Sequence, residues 1–259
     1  MIAQVNTPRQ RQRFLNACRG KLCCGATLPL ALQLLGKAQP GRFFAGPTLA
    51  LDIGGRTAWA AGHANPEELA SFLNFCGCRA VILDEAECPP LVGWQKTCDH
   101  TIFGLAAGEQ LPLPAQTKAQ KALWDSLTFV EDPASGPVAE NLFPDRPARR
   151  DDFYSELCTK RSRGKALVWT LEQGGNIVCT VGAYALCNGQ AYMACGQTAE
   201  ALRGQRVGGR LIVQMANALS AQGDQPVFLC SPERVHFYTQ LGFHPLGTLA
   251  RYESPIGKD

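Results

Sequence analysis

Between an extended run and an amphipathic stretch lies the segment Arg203-Gly204-Gln205-Arg206-Val207-Gly208-Gly209, with three glycines and two arginines. A strand that ends in a glycine-rich turn and opens a helix presents backbone N–H groups with no intrahelical partner. With the positive end of the helix dipole, those groups suit a phosphate or pyrophosphate. Glycine lets a ligand approach the backbone where a Cβ would block it. Arg203 and Arg206 can add charge-assisted bonds to phosphate oxygens. The same spacing also suits a tight strand-to-helix connection that holds no ligand. No GKS or GKT follows, which excludes a P-loop, and the preceding strands are hairpin-linked, which excludes a dinucleotide fingerprint.

The elements that must position this turn are readable on both sides of it. Lys165–Leu171, Asn176–Leu186 and Gln190–Gln197 read as three antiparallel strands, with turns at Gly174-Gly175-Asn176 and Asn188-Gly189. Leu211, Ile212, Met215, Ala218 and Leu219 follow the helical period, so a helix is expected over Val207–Ala221. A short strand at Val227–Cys230 and a helix over Pro232–Leu241 come next, followed by an extended segment to Tyr252. Before them, a helix is expected from Arg149 to Arg163.

The N-terminal half reads as helices over Arg9–Leu35, interrupted near Gly20 and Gly25, then a hairpin turning at Gly54-Gly55. Asn65-Pro66-Glu67-Glu68 is a helix start, with a capping Asn, proline at the first position and acids in the first turn. A strand at Ala80–Leu83, a weak helix around Leu91–Thr97 and a strand near Thr101–Leu105 complete it. Leu111–Lys121 reads as a linker, and 131–147 as a second irregular stretch. The fold class expected is α+β, a central, mostly antiparallel sheet with flanking helices in two domains, 1–120 and 121–259.

Composition narrows the function classes. Hydrophobic residues make up 46% and charged residues 18% of 259, with a formal net charge of +3, which argues against a nucleic-acid surface. No apolar run reaches the roughly 20 residues of a membrane span, and a cytoplasmic location with no membrane partner is expected. The 12 cysteines show no CxxC and no framework spacing. Cys76, Cys78, Cys88, Cys98 and His100 are the residues a metal would use. Their spacing favours buried reduced thiols, and no metal is expected.

At Arg203–Gly208 the sequence resembles the GCN5-related N-acetyltransferase (GNAT) family, whose pattern is Arg or Gln, two residues, Gly, one residue, then Gly or Ala. Arg203 fills the first position and Gly208 the last, while Arg206 replaces the middle glycine. Ser231–Phe243, SPERVHFYTQLGF, is similar to the family's second block through Phe237, Tyr238, Gly242 and Phe243. Ser231 stands where Asn is usual, and the resemblance implies that it is a cofactor-binding residue. The resemblance spans Arg149 to Tyr252, and it implies an acyl-CoA N-acyltransferase fold with acetyl-CoA as cosubstrate.

The resemblance also implies roles for single residues. The backbone near Gln197 and Thr198 would pair with the pantetheine arm and polarise the thioester carbonyl. The N–H groups of Arg203, Gly204, Gln205, Arg206, Val207, Gly208 and Gly209 would hold the pyrophosphate. Tyr238 would protonate the departing thiolate, or pack the helix against the sheet. Glu200, Glu172 or a water relay would deprotonate the acceptor amine. Tyr184 and Tyr192 face the acceptor groove or fill the core, and His236 and His244 read as structural. Cys195 lacks the adjacent base that an acyl-cysteine route needs.

The reading is an N-acetyltransferase acting by direct attack of a small-molecule or peptide amine. The rivals are a non-catalytic acyl-CoA sensor and a transferase of longer acyl chains. The N-terminal half, with its helices, hairpin, helix and strand, reads as a degenerate second copy that lacks the glycine turn, or as an unrelated module. Acceptor and oligomeric state leave no mark on the sequence.

Overall fold

The computed structural model describes residues 1–255, except for the side chain of Cys195. The chain divides into two compact units. The first comprises Met1–Phe103, Leu229–His236 and Pro245 onward, and the second comprises Gly104–Phe228 and Phe237–His244.

The first unit begins with β1 (Ala3–Gln4), α1 (Pro8–Cys18) and α2 (Cys24–Leu35). It continues through β2 (Phe43–Ala45), β3 (Leu49–Gly54), β4 (Thr57–Gly62), α3 (Pro66–Phe75), β5 (Ala80–Leu83) and β6 (Gln95–Gly104). The second unit runs α4 (Lys118–Asp125), β7 (Thr128–Val130), α5 (Ser135–Leu142), α6 (Pro147–Arg161), β8 (Leu167–Gln173), β9 (Asn176–Cys187), β10 (Gln190–Thr198), α7 (Val207–Ala221) and β11 (Gln225–Cys230). The short helix α8 (Val235–Gln240) and the strand β12 (His244–Glu253) close the described chain.

Each unit is built on the same scheme. In the first, β2, β3 and β4 form an antiparallel meander, α3 crosses over, and β5 lies parallel to β4. In the second, β8, β9 and β10 form the meander, α7 crosses over, and β11 lies parallel to β10. A helix crossover is what parallel neighbours require. Strand order is β1-β2-β3-β4-β5-β12-β6 in the first unit and β11-β10-β9-β8-β7 in the second. The first core gathers Leu49, Leu51, Leu69, Leu73, Val81, Leu83 and Tyr252. A cluster of the second unit packs Val138, Leu157, Val168 and Tyr184 beneath α5 and α6.

Several expectations shift. The units divide at Phe103/Gly104 rather than at residue 120. The segment after β6 is tied to α7, where Asn217 and Ser220 bond the backbone of residues 106–111. The last strand joins the first unit because Ala250–Glu253 pairs with Ala80–Leu83. The expected linker ends in the first turn of α4, started by a capping box of Thr117 and Gln120. The irregular stretch contains α5, whose N-cap Ala134 offers no side-chain signal. Leu91–Thr97 forms no helix, and β6 begins at Gln95, with the Thr97 hydroxyl bonding Arg251 O. Gly25 does not break α2, since the break falls at 19–23.

Candidate functional site

The second unit's meander ends in a strand that leaves its neighbour. β10 pairs with β11 only through Gln190–Tyr192 against Gln225–Val227, yet it continues to Thr198. Against β9 it carries one extra residue between Ala194 and Gln197, a β-bulge that bends the strand as it departs. At its end, Ala199 N donates to Val178 O of the β9 side at 2.8 Å. Successive amides of a strand point to opposite edges. Thr198 therefore turns its N–H toward the edge facing away from β9, and Gln197 turns its own toward β9. The Arg203 Nε folds back onto Thr198 O at 3.4 Å.

The glycines of the turn have distinct duties. Gly204 takes a positive φ of 75° in open space. A Cβ on Gly208 would collide with the Thr198 hydroxyl, and one on Gly209 would meet Leu241 at 3.0 Å. Gly208 thus sets the approach of α7 to β10, and Gly209 the approach of α8 to α7. Beneath them Cys179 Sγ lies 3.4 Å from Thr198 Oγ1, and burial pushes its thiol up to about 11.

Arg206 is the N-cap of α7 and is left-handed, at φ 63° and ψ 7°. That region favours glycine, which accounts for the glycine of the resembling pattern at this position. Its exposed side chain bonds Ala115 O at 2.7 Å. No side chain caps α7, and no acid stands in its first turn. The N–H groups of Val207, Gly208 and Gly209 thus stand at a helix start flanked by Arg203 and Arg206. Such a terminus has the donor set and the sign of charge for an anion.

Tyr238 lies on α8, half-buried, with its ring 4.5 Å from that of Phe228 and 6.3 Å from that of Phe243. Glu200 is exposed, in a single 3-10 turn after β10, and its backbone O accepts from Arg203 N. Gln205 is exposed in the turn. Ser231 belongs to the first unit, where its hydroxyl donates to Glu233. Glu172 sits on β8 opposite Thr128. Tyr184 fills the core, edge-on to Phe153 at 5.4 Å. His236 is exposed, and His244 approaches Glu109 at 3.3 Å. The side chain of Cys195 lies outside what is described. Sequence reasoning missed Cys179, Ala115 and Leu241. Each acts on the turn from far along the chain, so no local spacing marks it.

Among the described residues no group of three or more His, Cys, Asp or Glu could hold a metal ion. None of their helices is long and apolar enough to cross a membrane.

No protein-family model matches the chain, and no curated protein matches it. Solved structures do. A GCN5-related N-acetyltransferase from Sphaerobacter thermophilus matches at TM-score 0.63 and 13% identity, over 97% of this chain and 94% of that one. A tandem GNAT protein from the clavulanic acid biosynthesis pathway matches at 0.62 and 13%, over 100% and 99%. A GCN5-related N-acetyltransferase from Kribbella flavida matches at 0.59 and 16%, over 88% and 94%. The fold is that of the GCN5-related N-acetyltransferases. It is mixed α and β, mostly antiparallel, and in tandem, as the repeated meander–helix–parallel strand scheme of the two units requires.

Proposed function

We propose that the chain is a member of the GNAT family whose second unit transfers an acetyl group from acetyl-CoA to an amine. One observation carries this reading. The uncapped, acid-free start of α7 stands beside the end of β10, where β10 has left β11. The opened edge offers a strand's polar groups to an amide-bearing arm, and the helix start offers N–H groups to a pyrophosphate. Both are needed by a ligand that carries pantetheine and a diphosphate on one molecule.

In this reading the residues bind, orient and move protons. The α7 amides with Arg203 and Arg206 hold the diphosphate. The outward N–H of Thr198 hydrogen-bonds the thioester carbonyl, favouring the oxyanion formed as the amine attacks the carbonyl carbon. As the C–S bond breaks, Tyr238 gives its phenolic proton to the sulfur, a transfer between groups of similar basicity. The proton leaving the amine goes to Glu200 or through water to bulk. The acceptor is a small molecule or a peptide amine, and the compartment is the cytoplasm.

Full-length protein assayed with acetyl-CoA and a panel of primary amines tests this directly, with free thiol release as the readout. Thiol release that depends on the amine supports the reading. Saturable acyl-CoA binding with no turnover on any amine points instead to a sensor. A preference that rises with acyl length points to a longer-chain transferase.

A further inference from the structure

The repeated scheme permits a residue-by-residue comparison of the two units. In the second unit Thr198 pairs with Cys179, and the next amide, Ala199 N, bonds Val178 O. In the first, Gly62 pairs with Leu49, and the next amide, His63 N, bonds Thr48 O at 3.0 Å. Gly62 is therefore the counterpart of Thr198. Here too the strand outruns its parallel neighbour: β4 pairs with β5 through Thr57–Trp59 and continues to Gly62. Ala60 and Gly62 turn their polar groups to the edge facing away from β3.

Those groups already have partners. Gly62 N donates to Glu87 Oε2 at 3.1 Å, and Cys24 Sγ approaches Ala60 O at 3.9 Å. The Glu87 carboxylate is also paired with Lys21, and its backbone O meets His63 Nδ1 at 3.0 Å. Lys21 comes from the connection between α1 and α2, and Cys24 is the first residue of α2. That connection bends through a tight turn in which Cys24 N bonds Leu22 O at 2.7 Å, with Cys23 at φ 62° and ψ −58°. A non-glycine residue in such a turn is strained, and it persists where its surroundings over-determine it.

The helix start is filled as well. Asn65 Oδ1 accepts from both Glu67 N and Glu68 N, and Pro66 has no N–H to offer. Two carboxylates in the first turn add the wrong charge for a phosphate. The outward strand groups and the helix start are thus each met in the first unit by an internal partner or an opposing charge.

We propose that the first unit is a copy of the site occupied by its own side chains, with Glu87 seated between the Gly62 amide and Lys21. Resting on the reading of the second unit given above, each chain takes up one CoA. The first unit serves as a closed fold and not as a second transferase.

Two measurements on the full chain test this. Calorimetric titration with CoA is expected to give one equivalent. The exposed double variant Arg203→Glu, Arg206→Glu is expected to lose affinity by more than about tenfold, with no tight site left behind. Two equivalents, or one that survives intact in the double variant, would overturn the proposal. A parent protein that binds no CoA overturns the reading of the second unit instead, and the other measurement then decides. Glu87→Ala leaves an ammonium and an amide without their carboxylate. It is expected to lower the thermal midpoint by about 5 °C. Sodium acetate should restore part of that shift relative to sodium chloride, in the variant and not in the parent. An unchanged midpoint, or no difference between the two salts, removes the seated carboxylate and the proposal with it.

Discussion

The Thr198 hydroxyl occupies the space into which a Cβ on Gly208 would project. This contact sets the distance between the start of α7 and the end of β10, the two parts of the proposed cofactor site. Thr198 is also held by the Arg203 side chain and by its pairing with Cys179. Gly208→Ala should therefore displace the helix start, costing about 1–3 kcal/mol as over-packing does. Urea denaturation checks the cost. CoA affinity should fall at least about tenfold, since amides aimed at one diphosphate lose alignment together. Gly204→Ala adds a Cβ in open space at a positive φ. It should cost about 1 kcal/mol of backbone strain while keeping more of the affinity.

Arg206 separates conformational cost from charge. Its left-handed backbone favours glycine, yet its guanidinium is the one that bonds Ala115 O. Arg206→Gly and Arg206→Ala both remove the guanidinium, but only the alanine variant keeps the strained Cβ. The glycine variant should be the more stable of the two by about 1 kcal/mol. Their affinities for CoA should be equally reduced, and should depend less steeply on salt than the parent's. Equal stabilities would mean that the strain is relieved in some other way.

Alkaline and acid stability should carry the mark of Tyr252 in the first unit. Its hydroxyl donates to Glu85, and burial, followed by that hydrogen bond, pushes the phenol up to about 12. A group whose pKa is higher folded than unfolded gives stability that is complete below the unfolded value. That stability is lost as pH rises through the folded value. The loss attributable to Tyr252 should fall between about pH 10 and 12. Glu85 is shifted down, first by its hydrogen bond from Lys96 and then by that from Tyr252. Its contribution is complete above the ordinary carboxylate range and fades as pH falls through its lowered value. Denaturation midpoints across pH for Tyr252→Phe should show a shallower alkaline decline than the parent. An identical decline in both would show that the hydroxyl contributes nothing there.

The sequence reveals most where local chemistry decides the outcome. Val207–Ala221 is legible as a helix because its apolar residues keep one period, and Asn65-Pro66-Glu67-Glu68 because caps are local. The hairpins at Gly174-Gly175 and Asn188-Gly189 are legible because their residues take positive φ. The helix α5 is hidden because Ala134 caps nothing and Pro137 looks like a loop residue. The placement of β12 in the first unit is hidden because its register with Ala80–Leu83 spans most of the chain. Within the site, the spacing shows the glycines but not their separate duties. Gly208 meets Thr198 through strand–helix packing, and Gly209 meets Leu241 through helix–helix packing. Such contacts exist only after folding.

Tyr238 combines a packing ring with a hydroxyl whose proposed work is chemical, and one substitution separates them. The ring lies against Phe228 at 4.5 Å and Phe237 at 5.0 Å, so Tyr238→Phe preserves the apolar contacts of α8. The thermal midpoint should move by no more than about 2 °C. If the phenol protonates the departing sulfur, kcat should fall by about a hundredfold or more, with the KM for acetyl-CoA little changed. An acyl donor whose thiol is more acidic leaves without needing that proton, so the variant's deficit should shrink with such a donor. A deficit of the same size for both donors would assign Tyr238 a positioning role. A variant with parental kcat would leave the ring as packing alone, because the hydroxyl is the only group removed.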